Sequence, residues 1–127
     1  MSRRYGQVTS SIAAELGSIV GVSNCLTDAD SLAVHAHDET EDLVFLPEIV
    51  VRPRTTDEVC RVMKVAARER IPVTPRGAGT GLSGGALPVR GGISLSLARM
   101  DSILEIDVDN LMAVVEPGVI TEVLQNE

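Results

Sequence analysis

Aromatic and basic residues are both scarce in this chain. Its 127 residues include one Tyr, one Phe and no Trp, so the core must be built from aliphatic side chains. The formal net charge is −7 at pH 7, with 18 acidic residues against 11 basic ones. Nucleic-acid binding needs a basic face or aromatic stacking platforms, and the sequence provides neither. We therefore expect no nucleic-acid partner.

Cysteine and histidine each occur only twice. The spacing of Cys25 and Cys60 matches no zinc or redox motif, which favours two reduced thiols in a cytoplasmic protein. His35 and His37 form an H-x-H pattern, but the acidic stretch 38–42 that follows is typical of a solvated loop, and no metal site is expected. A Ser-His-Asp triad is not expected, because no other histidine is available as a base.

Long apolar runs are absent as well. No stretch is long and apolar enough to span a membrane. Arg3 and Arg4 stand near the start of the chain, but no apolar segment follows them, so a signal peptide is not expected. Together with the cysteine content, this pattern predicts a cytoplasmic protein.

Glycine, in contrast, is concentrated in one part of the chain. Seven of the eleven glycines lie between Gly77 and Gly92. Residues 71–100 include no acidic side chain but do include Arg76. Each glycine weakens the fold through backbone entropy, so this concentration favours a loop that turns sharply and brings N–H groups close to a ligand. A glycine-rich loop without carboxylates, beside an arginine, predicts a phosphate-binding site.

Hydrophobic patterns place this loop in a βαβ unit. Residues 48–52, which read Glu-Ile-Val-Val-Arg, predict a buried strand, and Thr55 with Glu58 forms a capping box for the clearest helix of the chain. A second strand is predicted over 71–74, so the two strands should be parallel with a right-handed crossover. The glycine-rich loop would leave the carboxyl end of the second strand, which is the edge where open parallel sheets bind ligands.

Further elements are predicted on both sides of this unit. Helices are expected over 8–20 with Ser10 or Ser11 as the cap, over 28–34, and over 119–125 with Thr121 as the cap. Strands are expected over 93–97, 103–108 and 111–115, the last two joined by a tight turn at Asp109-Asn110.

Four interpretations compete for the glycine-rich run. A Walker loop is excluded, because residues 84–86 read Gly-Gly-Ala where Gly-Lys-Ser/Thr is required. Residues 79–84 satisfy G-x-G-x-x-G, but a Rossmann loop needs a helix to begin there, and the following glycines and Pro88 prevent one. A backbone nest could wrap a pyrophosphate with consecutive N–H groups, with Thr80 and Ser83 adding hydroxyls. A tight surface loop without a ligand stays open, although exposed loops rarely need so many glycines.

The run from Pro75 to Gly85 resembles the FAD pyrophosphate loop of the flavoproteins related to vanillyl-alcohol oxidase and p-cresol methylhydroxylase. It reads Pro-Arg-Gly-Ala-Gly-Thr-Gly-Leu-Ser-Gly-Gly and is called the glycine-rich loop below. Within that family it is most similar to the glycolate oxidase catalytic subunit and the FAD-linked D-lactate dehydrogenases. In order, residues 47–54, 55–59, 93–106 and 115–119 resemble the family's first strand, the helix after it, the strand pair after the loop and the second FAD-contacting segment.

This resemblance implies an α+β fold of the family's FAD-binding type, in which a small parallel βαβ sheet flanked by helices precedes the first strands of a second sheet. It divides the chain into an N-terminal helical region (1–46), a βαβ subdomain (47–97) and the start of a second subdomain (98–127). Family members are much longer, so we expect a truncated or fragmentary FAD-binding domain without the substrate-binding cap domain.

The cofactor implied by the resemblance is FAD, and the implied contacts are mostly backbone. The residues carried over for FAD binding are Pro75, Arg76, Gly77, Ala78, Gly79, Thr80, Gly81, Leu82, Ser83, Gly84, Gly85, Pro117 and Gly118. Arg76 would orient the loop or lie near the phosphates. Some relatives bond the flavin covalently through a histidine of this loop. The matching position here is Thr80, which cannot form that bond, so FAD would be held non-covalently.

The implied function is the FAD-binding portion of a flavin-dependent 2-hydroxy-acid oxidoreductase of the glycolate or D-lactate type. No catalytic residue is expected among these residues, so the chain should be inactive alone. A small 2-hydroxy acid would bind only in a longer protein, and an iron–sulfur partner subunit, as in glycolate oxidases, is left open. The alternative is a truncated, non-catalytic module that folds or self-associates without significant flavin binding. Self-association is expected because such a module would expose a sheet edge and an apolar face.

Overall fold

The computed structural model describes residues 5–40, 42–81 and 84–127. The helices are α1 (Ser10–Val20), α2 (Ala29–Val34), α3 (Thr56–Glu69) and α4 (Thr121–Gln125), and a short 3₁₀ turn covers Val22–Asn24. The strands are β1 (Cys25–Leu26), β2 (Ile49–Val51), β3 (Val73–Arg76), β4 (Ile93–Ser96), β5 (Ile103–Asp107) and β6 (Met112–Val115). The predicted α+β class is confirmed.

The larger sheet has the strand order β1-β2-β4-β3. Strands β2, β4 and β3 are parallel, with Val50 and Thr74 both paired to Ser94, while β1 runs antiparallel to β2. The predicted β2 and β3 are therefore parallel, but they are not neighbours, because β4 inserts between them. All four residues of β4 are buried, as expected for a central strand. The short strand β1 was not predicted.

The third strand begins later than the sequence pattern suggests. Ile71 follows the end of α3 and is still tied to it, since its N–H donates to the carbonyl of Ala66 at 2.9 Å. The strand then extends to Arg76, so its last two residues are also the first two of the glycine-rich loop. The loop consequently starts from a backbone that is paired with β4.

One aliphatic core lies between the sheet and two helices. Helix α1 contributes Ile12, Leu16 and Val20, helix α3 contributes Val62, Val65 and Ala66, and the sheet contributes Ile49, Val51, Ile93 and Leu95. Both helices therefore cover the same face of the sheet, and the carboxyl edge of the parallel strands stays accessible to the glycine-rich loop.

One of the three predicted helix caps is correct and two are not. Thr55 caps α3, since its Oγ1 accepts from the N–H of Glu58 at 3.1 Å. Helix α2, predicted to start at Asp28 or Asp30, begins at Ala29 with Asp28 as its cap. Thr9 rather than Ser10 or Ser11 caps α1, and α4 follows Ile120 without a side-chain cap. The Oγ1 of Thr9 accepts a hydrogen bond from the N–H of Ile12, three residues after the cap.

The second sheet is a two-stranded antiparallel hairpin of β5 and β6. Its turn is centred on Asp109-Asn110, as predicted, with the Leu111 N–H donating to the Val108 carbonyl at 3.3 Å. The predicted boundary between 97 and 98 falls between β4 and this hairpin, and the division into subdomains stays a prediction. None of the helices in the described ranges is both long and apolar enough to cross a membrane.

Candidate functional site

The glycine-rich loop begins at the carboxyl edge of the parallel sheet. Pairing with β4 fixes its origin, since the Leu97 N–H donates to the Arg76 carbonyl at 2.9 Å. Beyond this anchor Gly77, Ala78, Thr80 and Gly81 are exposed. The predicted contacts Leu82 and Ser83 lie outside the described residues. The described part of the loop therefore presents backbone to solvent at the edge where parallel sheets bind ligands.

A cavity of about 210 Å³ lies next to the first loop residues. It is lined by Gly77, Ala78, Ala98, Asp101, Gly118, Val119, Ile120 and Val123. Two of the predicted FAD-contacting segments thus share one cavity, although Gly118 is far along the chain from Gly77. The lining from α4 is apolar, and no feature of the sequence alone indicated that Ile120 and Val123 would face the loop.

The other predicted site residues in the described part of the chain do not line this cavity. Pro75 is exposed on β3, and Pro117 is exposed beside Gly118. Thr80, Gly81, Gly84 and Gly85 follow further along the loop and do not line the cavity. The structure therefore brings Gly77, Ala78 and Gly118 together in one cavity wall, and the remaining described site positions are not part of that wall.

Gly77 and Gly85 occupy positions where the protein itself does not require glycine. A Cβ added at either position would have no protein atom within 4 Å, and neither residue has a positive φ. The missing side chains keep space open in front of the loop. A loop of this kind fits a bulky anion that approaches the backbone N–H groups closely, as the diphosphate of a dinucleotide does.

Gly79 and Gly118 are required for internal reasons. Gly79 has φ of 75°, and a Cβ there would overlap the guanidinium of Arg76. A Cβ on Gly118 would overlap the carbonyl of Leu97 and lie 2.8 Å from the Met100 carbonyl oxygen. The Gly118 N–H donates to the same Met100 oxygen at 2.7 Å. Close backbone packing therefore holds the second segment in place.

The side chain of Arg76 lies against the backbone of the loop at Gly79, and the residue is only 8% exposed. Its Nη1 donates to the backbone carbonyl of His37 at 2.7 Å. Burial lowers the pKa of Arg76 and the nearby Asp38 carboxylate opposes that shift, but an arginine remains protonated at any physiological pH. The side chain is thus directed into the protein, towards a segment that precedes β2.

The predicted solvated loop at 38–42 is wrong for its first residue. Asp38 is only 8% exposed, and its Oδ1 accepts from the Thr40 N–H at 2.7 Å. The Thr40 hydroxyl and then this N–H lower the pKa of Asp38, so the carboxylate is charged at neutral pH. Its Oδ2 has no hydrogen-bond partner and lies 3.8 Å from where a Cβ on Gly81 would stand.

The loop itself has no acidic residue, but the fold brings two carboxylates close to it. Asp38 approaches Gly81 from one side, and Asp101 stands in the wall of the cavity. Asp101 is paired with Arg54 at 3.4 Å, which partly offsets its charge. The Asp-x-Thr pattern of Asp38 to Thr40 is a local turn signal, but sequence spacing does not reveal that this turn packs against the loop.

No cysteine or histidine lines the cavity beside the loop. Cys25 is half-buried, and burial raises its pKa to about 11, so its thiol is protonated. Cys60 is exposed. His35 is bonded through Nδ1 to the Ser31 carbonyl at 2.8 Å. Within the described part of the chain, no group of three or more His, Cys, Asp or Glu side chains is arranged to hold a metal ion.

Comparison with known proteins identifies a family for most of the chain. Residues 47–127 match the family described as "FAD binding domain". The glycolate oxidase subunit GlcD of Bacillus subtilis is 39% identical over 114 residues, which cover 90% of this chain and 24% of the relative. A probable mitochondrial D-lactate dehydrogenase of Danio rerio is 31% identical over 121 residues, covering 93% of this chain and 24% of that protein.

A solved structure supports the same assignment. The crystal structure of p-cresol methylhydroxylase with substrate bound has a TM-score of 0.78 and 27% identity, and the match covers 90% of this chain and 24% of that one. The resemblance to flavoproteins of this type is thereby confirmed. The chain spans about a quarter of the length of the curated relatives named above.

Proposed function

The chain belongs to the family of FAD binding domains, and we propose that its glycine-rich loop, together with Pro117 and Gly118, holds the diphosphate of FAD without a covalent bond. The observation that carries the proposal is the open space in front of Gly77, which adjoins the cavity shared with Gly118. FAD, when bound, would supply the redox chemistry, and the protein would supply its binding and orientation.

The proposed recognition uses backbone N–H dipoles rather than side-chain cations. Consecutive N–H groups from Gly77 to Gly81 can surround an anion, as in other backbone nests. Leu82, Ser83, Gly84 and Gly85 would continue the cradle, and Thr80 could add a hydroxyl donor. Threonine has no nucleophilic nitrogen for a flavin bond, which supports the non-covalent mode.

The cavity indicates how much of the cofactor this chain would enclose. Pockets that bury a whole drug-sized ligand measure roughly 300–1,000 Å³. The cavity beside the loop measures about 210 Å³, which is below that range. We therefore propose that these residues surround the diphosphate and its immediate neighbours, and that other protein surface would cover the rest of the dinucleotide.

For a protein that contains this chain, we propose a flavin-dependent 2-hydroxy-acid oxidoreductase of the glycolate or D-lactate type. The named relatives support this class, since one is a glycolate oxidase subunit and one a probable D-lactate dehydrogenase. We assign no catalytic residue to this chain, so it should not turn over a 2-hydroxy acid alone. An iron–sulfur partner subunit and a cytoplasmic location stay predictions.

A self-associating module without flavin is the second candidate. The hairpin of β5 and β6 exposes apolar side chains, among them Leu104 at 63% and Met112 at 59%. Isolated two-stranded hairpins are marginal in water, so such a surface favours burial against another surface. A second copy of the chain could provide that surface. This candidate predicts oligomers that do not depend on FAD.

The decisive experiment replaces Gly77 with Ala. The added methyl group meets no protein atom and the residue has no positive φ, so the free energy of unfolding without FAD should stay equal or rise by about 0.4–1 kcal/mol. The same methyl group enters the space proposed for the diphosphate. We expect the dissociation constant for FAD, measured by calorimetry or flavin fluorescence, to rise at least about tenfold, which is about 1.4 kcal/mol.

Gly17→Ala is the matched control. It adds the same methyl group within α1, where the nearest atom outside the helix backbone is a Val22 methyl at 3.6 Å. It should stabilise the helix and leave FAD affinity unchanged. Unchanged affinity in the Gly77→Ala protein would refute the proposed diphosphate site. A folded, FAD-indifferent parent protein that sediments as an oligomer would favour the second candidate.

A further inference from the structure

We propose that Asp38 and Arg76 are positioning residues, which together fix the glycine-rich loop in its binding conformation from beneath, and that Arg76 is not a phosphate ligand. The inference rests on the proposed function, because it concerns how the same loop is held. It assigns a role to the segment His37–Thr40, which precedes the βαβ unit and lies outside the part of the chain that matches the FAD binding domain family.

The segment His37–Thr40 is tied to the loop at two points. At the start of the loop, Arg76 Nη1 donates to the His37 carbonyl at 2.7 Å. Further along, the Glu39 N–H donates to the Gly81 carbonyl at 3.0 Å. The residues from Gly77 to Gly81 therefore lie between two hydrogen bonds to this segment, one made by Arg76 and one made by Gly81. A flexible glycine-rich run gains a defined conformation in this way, before any ligand arrives.

The segment is itself well anchored. Ala36, just before it, is 1% exposed, and its carbonyl accepts from the Phe45 N–H at 2.8 Å. Within the segment, the Thr40 N–H donates to Asp38 Oδ1 at 2.7 Å and closes a tight turn. The segment can therefore transmit a fixed position to the loop rather than follow the loop's movements.

The charges beneath the loop also favour positioning over anion binding. The guanidinium of Arg76 and the carboxylate of Asp38 are both enclosed, each residue being 8% exposed. Gly79 covers the guanidinium so closely that a Cβ at that position would overlap it. A guanidinium that is enclosed and bonded to a backbone carbonyl is poorly placed to reach a ligand on the other side of the backbone.

Removal of the Asp38 charge should change the FAD affinity in opposite directions, depending on whether Asp38 acts on the ligand only through its charge or positions the loop. If electrostatics alone mattered, removing the Asp38 charge would tighten binding of an anionic diphosphate, because a nearby negative charge is lost. If Asp38 positions the loop through Arg76, removing its charge leaves a buried guanidinium uncompensated, and the loop loses its defined shape. Binding then weakens. The sign of the change in FAD affinity therefore distinguishes the two roles.

The test uses Asp38→Asn, which keeps the side-chain shape and the Oδ1 acceptor. We expect the dissociation constant for FAD, measured by calorimetry at a temperature where apo protein is fully folded, to rise about tenfold. Asp30→Asn is the control, because Asp30 is exposed on α2 and the substitution removes the same charge. It should change the dissociation constant less than about twofold. A loss of global stability alone would not alter an affinity measured on fully folded protein.

Arg76→Lys provides the second arm. Lysine keeps the positive charge of arginine but not its planar guanidinium. If Arg76 bound a phosphate directly, the FAD affinity should therefore fall less than about threefold. If Arg76 positions the loop, the FAD affinity should fall about tenfold, as expected for Asp38→Asn. The double variant should lose less than the sum of the two single variants, because both substitutions act on the same segment beside the loop. Should Asp38→Asn fail to fold, Arg76→Lys alone decides. Tighter or unchanged binding in Asp38→Asn, or near-parental binding in Arg76→Lys, overturns the inference. A parent protein that binds no FAD refutes the proposed function instead.

Discussion

Gly79 is the position where a single methyl group should do the most damage to the loop. The residue has φ of 75°, and a Cβ there would overlap the guanidinium of Arg76. Left-handed backbone costs a residue with a Cβ about 1–2 kcal/mol. Relief of the overlap requires the guanidinium to move, which breaks its 2.7 Å bond to the His37 carbonyl. Hydrogen bonds to charged groups contribute about 1.5–3 kcal/mol.

The two terms together predict a loss of about 2.5–5 kcal/mol for Gly79→Ala. Part of the loss can appear as reduced stability of the apo protein, if the loop keeps its conformation and bears the strain. The rest appears as weaker FAD binding, if the apo loop relaxes and the ligand must restore its shape. The sum of the two losses is fixed by the thermodynamic cycle, so it can be measured whichever way it divides.

The assay combines urea unfolding of apo protein with calorimetric titration of FAD. Gly77→Ala is the matched control for the stability arm, since its methyl group meets no protein atom and its φ is not positive. A summed loss below about 1 kcal/mol for Gly79→Ala would be less than the backbone term alone. That result would refute the argument that Arg76 occupies the space beneath Gly79.

Two further predictions concern the second segment and acid stability. Gly118→Ala drives a Cβ towards the carbonyl oxygens of Leu97 and Met100, so it should lower the unfolding free energy by about 1–3 kcal/mol and displace the wall of the cavity. Urea unfolding checks the first effect and FAD titration the second, and an unperturbed protein would contradict the packing argument. On acidification, stability should fall, because hydrogen bonds from Ser31 lower the pKa of Asp28 in the folded state. Those from Asn110 likewise lower the pKa of Asp107. A depressed carboxyl pKa stabilises the fold above the unfolded value of about 3.9, and this contribution is lost as pH falls through the folded value. Urea midpoints that stay constant from pH 6 to about pH 3 would show that these bonds do not stabilise the fold.

Local signals predicted the parts of the structure that depend on neighbouring residues. The capping box of Thr55 and Glu58 identified the start of α3, and Asp109-Asn110 identified the turn of the hairpin. The glycine-rich loop was placed at the carboxyl end of its strand for the same reason. In each case the pattern and the structure that it specifies lie within a few residues of each other.

The features that local patterns do not reveal arise where distant parts of the chain meet. Strand β4 pairs with both β2 and β3, and no local pattern distinguishes that order from a simple βαβ neighbour pair. Asp38 stands in a stretch of acids that reads as solvated, yet it is buried against a loop that begins about 40 residues later. Its burial is possible because Arg76 and Thr40 compensate a charge that could not be buried alone.

The chain and its proposed ligand carry charge of the same sign, and the structure suggests how binding can still be favourable. The net charge of −7 repels a diphosphate at long range, but salt screens such repulsion beyond about 8 Å at physiological ionic strength. At contact, N–H dipoles of the glycine-rich loop would act on the phosphate oxygens without an intervening side chain. In the positioning role that we propose, the buried Arg76 would hold those dipoles in place, and the affinity would depend on their arrangement more than on the total charge of the protein.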